Sequence, residues 1–152
     1  MTARPASDLT SHLGFWLRFV SNHVSHAFAR KLEGRGVSVA EWVVMRELYG
    51  VEVLAPSKLA DTIGMTRGAI SKIADRLDAK GLARRDADAT DGRAQTLALT
   101  AKGRALIPRL AALADRNDAE FFDHLSAADR EALVRILKGI VSRRGLKSVP
   151  VD

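Results

Sequence analysis

Thr66, Arg67, Ala69, Ser71, Lys72 and Arg76 fall on the broad side of a helical period whose other side is Ile70, Ile73, Ala74 and Leu77. Guanidinium and ammonium groups pair with guanine edges, and hydroxyls reach bases or phosphates. The N-terminal end of a helix adds free N–H groups that attract phosphate. Gly68 and Ala69 are small, so a duplex can come close to that end. Taken alone, the same face is equally the solvated side of an ordinary amphipathic helix.

The residues that follow change the balance. Leu82 to Arg85 and Gln95 to Leu99 read as two short strands, joined by a polar loop from Asp86 to Arg93 with an Asp91-Gly92 turn signal. An arginine such as Arg93 beside that turn has the charge and reach to enter a narrow minor groove, where the negative potential is strongest. From Lys58 to Arg104 there are ten Lys or Arg against six Asp or Glu, so this stretch carries most of the chain's net charge of +6. Clustering of that kind favours a nucleic-acid partner over a uniformly basic surface.

Elements must hold these residues in place. A Gly64-Met65 turn of helix-turn-helix length separates the basic segment from a preceding helix, which opens at Pro56 or Ser57 and closes at Ile63. The basic helix itself starts at Thr66, runs to Lys80 and stops at Gly81. Upstream, Asp8 or Thr10 is expected to cap a first helix reaching about Leu32, with Leu13, Leu17, Val20, Val24, Ala27 and Phe28 as its apolar stripe. A second stripe, His12, Trp16, Phe19 and His23, lies beside it, so that helix has two faces to bury, one of them against another subunit. Ser38 with Glu41 is a capping box for a helix carrying Trp42, Val44, Met45 and Leu48, followed by a short apolar piece from Val51 to Leu54. Thr100 caps a long helix to about Phe122. Ser126 with Asp129, a further capping box, opens a last one bearing Leu133, Ile136, Leu137, Ile140 and Val141. The expected fold class is mainly α with a small β-hairpin wing. Its parts would be an N-terminal dimerisation helix (1–34), a winged helix-turn-helix lobe (35–100), C-terminal dimerisation helices (101–146) and a tail (147–152).

Composition sets the outer bounds. A chain of 152 residues, 47% hydrophobic and 28% charged, can bury a core without staples. It has no cysteine, which removes disulfides, thiolate metal sites and thiol redox sensing, and suits a reducing cytoplasm. The first ten residues carry no signal-peptide pattern and no apolar run is long enough for a membrane span, so a cytoplasmic protein is expected. His23 and His26 are three apart on a helix, but two histidines without a carboxylate cluster do not make a metal site. No nucleophile elbow or Gly-rich phosphate loop is present, so no enzymatic activity and no cofactor are expected.

The segments SVAEWVVMREL, PSKLADTIGMTRGAISKIADRLDAKGLARRDADATDGRAQTLALTAKGRAL and LSAADREALVRIL resemble the multiple-antibiotic-resistance regulator (MarR) family. The likeness runs from Leu13 to Val141, and KGLARR, DGR and LALTAKG are its most specific parts. It implies a homodimer on a pseudo-palindromic stretch of double-stranded DNA, with Arg67, Ser71 and Lys72 on the recognition helix and Arg93 at the wing. It also implies release of DNA on binding a small aromatic or phenolic ligand. Trp16, Phe19, His23, Trp42 and Arg46 are the candidates for an effector pocket between the first two helices, the alternative being that both tryptophans are filled core.

Overall fold

The computed structural model describes residues 4–87 and 95–147. A 3-10 turn, Leu9–Ser11, precedes α1 (Leu13–Glu33), α2 (Val39–Tyr49), α3 (Pro56–Ile63) and α4 (Arg67–Ala79). An antiparallel hairpin follows, β1 (Ala83–Ala87) and β2 (Gln95–Leu99), and the chain closes with α5 (Ala101–Phe122) and α6 (Ala127–Arg144). The mainly helical fold with a hairpin wing is the one expected from the sequence.

Local chemistry explains most boundaries. Ser38 Oγ accepts from the Glu41 N–H at 3.1 Å while a Glu41 carboxylate oxygen accepts from the Ser38 N–H at 3.2 Å, a complete capping box. Pro56 sits in the first turn of α3. Gly64 ends α3 at φ 80°, a left-handed conformation that makes the tight turn into α4. Thr66 and Thr100 cap α4 and α5 through their hydroxyls.

Two expectations need correction, and a third segment gains a role. The first helix does not begin at Asp8 or Thr10. Ser11 Oγ donates to the Asp8 carbonyl at 2.6 Å, closing a single tight turn, and Trp16 Nε1 donates to the Thr10 carbonyl at 2.9 Å, pinning that turn against α1. His12 then becomes the residue preceding α1. At α6 only half of the expected box forms: Ser126 accepts from Asp129, and no return bond from Asp129 is made among the described residues. The apolar piece at Val51–Leu54 contributes one residue to the sheet, Leu54, whose N–H and carbonyl both pair with Leu97. That bridge covers the outer edge of β2.

Leu32, Val44, Met45, Leu48, Leu59, Ile70, Leu77, Leu97, Ile107 and Leu110 form one buried core. Truncating a leucine or isoleucine here costs about 2–5 kcal/mol. The end of α1 and the start of α5 thus share a core with the helix-turn-helix. Farther along, buried Asn117 fixes how α1 crosses α5: its Nδ2 donates to the Val24 carbonyl at 3.1 Å and its Oδ1 accepts from Lys31 at 2.9 Å. Lys31 also donates to Glu120, and that hydrogen bond holds the Glu120 carboxyl below its usual value.

Candidate nucleic-acid interface

α4 buries Ile70, Ile73, Ala74 and Leu77 and turns Thr66, Arg67, Gly68, Lys72 and Arg76 outward, with Ala69 and Ser71 half-buried. Among the described residues Arg67, Lys72 and Arg76 take part in no ion pair. Thr66 is spent in part as the helix cap, its hydroxyl accepting from Ala69 N–H. Ser71 is not free either, because Arg85 donates to its hydroxyl at 3.2 Å. Arg93, the expected wing arginine, lies outside the described residues.

Arg85 was not singled out by the sequence reading, and the structure gives it the densest set of partners near α4. It projects from β1 with one terminal nitrogen donating to the Ser71 carbonyl at 2.6 Å and lying 3.2 Å from Asp75 Oδ1. The other donates to Gln95 Oε1 at 3.0 Å. Its Nε is buried with no hydrogen-bond partner, a cost on the order of 1–3 kcal/mol that the other bonds must offset. No periodicity signals such a residue, since the pairing joins a strand to a helix side.

The base of the hairpin is fixed from the other side by α5. Thr100 Oγ1 donates to the Gly81 carbonyl at 2.6 Å and accepts from the Gly103 N–H. A Cβ on Gly103 would lie 2.0 Å from the Leu82 carbonyl oxygen, so α5 approaches that backbone as only glycine allows. Arg104 donates to the carbonyls of Tyr49 and Val51, and its guanidinium lies 5.4 Å from the Tyr49 ring centre. Behind α4, Lys80 donates to the Gly36 carbonyl and to both carboxylate oxygens of buried Glu41 at 2.9 and 2.7 Å. Burial raises the Glu41 carboxyl, but the bonds from Lys80 and Ser38 outweigh it and leave it below the usual carboxylate value.

The five effector candidates do not converge within the chain. Trp16, Phe19 and His23 form an exposed ladder along α1, with ring centres 6.4 and 5.0 Å apart. Trp42 instead packs edge-on against Phe28 and the core, twelve residues beyond Trp16 along α1, about 18 Å of helix. Arg46 is exposed and its guanidinium lies over the Tyr49 ring, 5.6 Å from its centre. His23 lines a cleft with Asn22, His26 and Arg30, and the described residues hold no cluster of three or more metal-binding side chains.

Elsewhere the surface is apolar. Leu13, Trp16, Leu17, Phe19 and Val20 on α1 are exposed, and α6 buries none of its residues, leaving Leu133, Ile136, Leu137, Ile140 and Val141 bare. No helix among the described residues is long and apolar enough to cross a membrane.

A helix-turn-helix whose second helix is flanked by a hairpin defines a winged-helix architecture, and comparison with known proteins agrees. Residues 35–94 match the MarR family model. A putative transcriptional regulatory protein for the hcr operon of Thauera aromatica is 30% identical over 132 residues, 86% of this chain and 80% of that protein. A probable transcriptional regulator from Pseudomonas aeruginosa is 27% identical with a TM-score of 0.79, over 88% of this chain and 99% of that one. The transcriptional repressor CouR, solved on a 23-mer DNA duplex, is 26% identical with a TM-score of 0.81, over 92% of this chain and 99% of that one. The chain belongs to the MarR family: it is a transcriptional regulator and not an enzyme.

Proposed function

We propose that the chain is a sequence-specific DNA-binding repressor that works in the cytoplasm as a homodimer on a pseudo-palindromic operator and lets go when a small aromatic or phenolic ligand binds. The observation that carries the reading is the basic face of α4, free of ion pairs at Arg67, Lys72 and Arg76 among the described residues, beside a hairpin held at its base by α5. Arg67, Lys72 and Arg76 supply charge at the groove, Thr66 and Ser71 keep hydroxyl hydrogens to donate, and Ala69 leaves room for the base edges. Arg93 would follow the minor groove at the flank.

Dimerisation is supported by the bare apolar faces of α1 and α6. Contiguous exposed patches of this kind mark interaction sites, and a two-fold pairing would set the recognition helices about 34–36 Å apart. Residues 35–100 would then be the reading lobe, with 1–34 and 101–146 as the scaffold and 147–152 a tail. For the effector, the exposed Trp16–Phe19–His23 ladder borders that scaffold face and offers stacking to an aromatic ring. A ligand there releases DNA only by preferring a lobe spacing that misfits the operator.

Selection of bound sequences from random duplex DNA, with and without benzoates and phenols, tests the reading. A palindromic consensus lost on ligand addition is expected. Enrichment of no sequence would overturn specificity, and a consensus indifferent to every ligand would leave a repressor without an effector.

A further inference from the structure

The chain passes from α4 to β1 through Lys80-Gly81-Leu82, and Gly81 has a φ of 71°. Leu82, Ala83, Leu97 and Leu99 seat the base of the hairpin in the core, and Thr100 and the Leu54 bridge hold it there, so what remains to be fixed is the outer end of the ribbon relative to α4. Arg85 spans that angle. Ser71 lies ten residues up α4 from Gly81, about 15 Å from the bend. Arg85 lies four residues along β1, about 13 Å from it. Its guanidinium closes the third side of the triangle through the Ser71 carbonyl and hydroxyl and Asp75, and holds β2 through Gln95. Beyond the core-packed base, Asp86, Ala87 and Gln95 are exposed, and a two-stranded ribbon has little stability alone, so the brace matters to the direction of that outer part.

We propose that Arg85 is the positioning residue that locks the hairpin to the recognition helix, so that both grooves are read by one rigid unit. Because Asp75 stands on the outer face of α4, the same contact also neutralises an acid that would otherwise face phosphate. A lysine cannot replace it, since one ammonium cannot serve Ser71, Asp75 and Gln95 from a planar fork. The groove-reading consequence rests on the function proposed above, whereas the brace itself does not.

The chain has no cysteine, so spin labels go on Asp78→Cys and Ala87→Cys without background. In the parent the label distance distribution is expected to be narrow, and Arg85→Met is expected to broaden it. Arg85→Lys should recover melting temperature but not the narrow distribution, which separates positioning from mere stabilisation. Asp75→Ala and Gln95→Ala, each removing one limb, should broaden it partly and keep the measurement readable if Arg85→Met fails to fold. A distribution in Arg85→Met, or in both limb variants, as narrow as the parent's overturns the brace. The same proteins are then titrated on the selected duplex with A·T or G·C flanks. Arg85→Met should lose about tenfold on the A·T-flanked duplex, the scale of ordering one or two side chains on binding, and with it the flank preference. A parent with no flank preference would overturn groove reading by the wing, with the brace still judged by the distances.

Discussion

Among the described residues two surfaces lack an intramolecular partner, and water treats them in opposite ways. The outer face of α4 presents the charged groups of Arg67, Lys72 and Arg76, with Asp75 held by Arg85, and water solvates such groups at little cost. The faces of α6 and early α1 are bare leucine, isoleucine and aromatic rings, whose exposure forfeits about 25 cal/mol per Å². The basic face therefore permits a partner, while the apolar faces call for one. Two unrelated kinds of unmet surface on one small protein fit a molecule that joins a copy of itself at one end and DNA at the other.

Breaking the apolar face should have the largest effect. Ile136 and Ile140 are one helical turn apart and both exposed. Ile136→Asp with Ile140→Asp should turn a micromolar dimer into a monomer in sedimentation velocity. Affinity for a two-half-site duplex should fall at least about 100-fold as the linkage between sites is lost, with single half-site binding kept. A stable monomer that still holds the palindrome at full strength would break the comparison.

A pair of glycines sharpens it. Gly103→Ala drives a methyl into the Leu82 backbone and should cost about 3 kcal/mol, roughly 6–12 °C in Tm at fixed protein concentration. A Cβ on Gly68 meets nothing within 4 Å, so Gly68→Ala should leave Tm unchanged or slightly raised and weaken DNA binding alone, by crowding the approach of the duplex. Equal melting temperatures for the two variants would contradict the packing at Gly103. Next in size, Arg67→Ala should cost about 1–3 kcal/mol in specific binding and relax one position per half-site. An unchanged ratio of specific to random affinity would remove Arg67 from base reading.

What the sequence disclosed divides along physical lines. Boundaries governed by local chemistry were legible: Gly64, Thr66, Thr100 and the Ser38–Glu41 box each act within one turn. The buried stripe of α4 follows from period alone. Contacts that join distant segments were not legible. Arg85 on Ser71, Lys80 on Glu41 and Asn117 on Val24 unite positions 14, 39 and 93 residues apart, and no spacing rule reaches that far. The first effector set failed to converge for a related reason, since Trp16 and Trp42 share a composition but not a location. Gly103 sat inside the most recognisable motif, yet its role depends on a backbone it meets twenty-one residues upstream.

The smallest effect compares two lysines near one helix. Lys72 is bare on the outer face of α4, while Lys80, at its C-terminal cap, is held by Glu41 and the Gly36 carbonyl. Only the first has charge to spare for phosphate, so Lys72→Met should lower the slope of log affinity against log salt by about 0.9, and Lys80→Met should leave it unchanged. Stability should answer the other way. Lys80→Met strips the buried Glu41 carboxylate of its cation, a loss of about 1 kcal/mol once the part exposure of Lys80 is discounted. The pH dependence follows from the direction of the Glu41 shift. Its carboxyl titrates below the usual 4.5 in the folded protein, so the unfolded chain takes up the proton first as pH falls. The stabilisation is complete above pH 4.5 and is lost as pH drops through the folded value. Glu41→Gln should therefore be less stable than the parent at neutral pH and should converge with it in acid, as chemical denaturation across pH 3 to 7 would read. A gap that stays constant across that range would mean that Glu41 contributes by shape and not by charge, and the two lysines would then differ only in exposure.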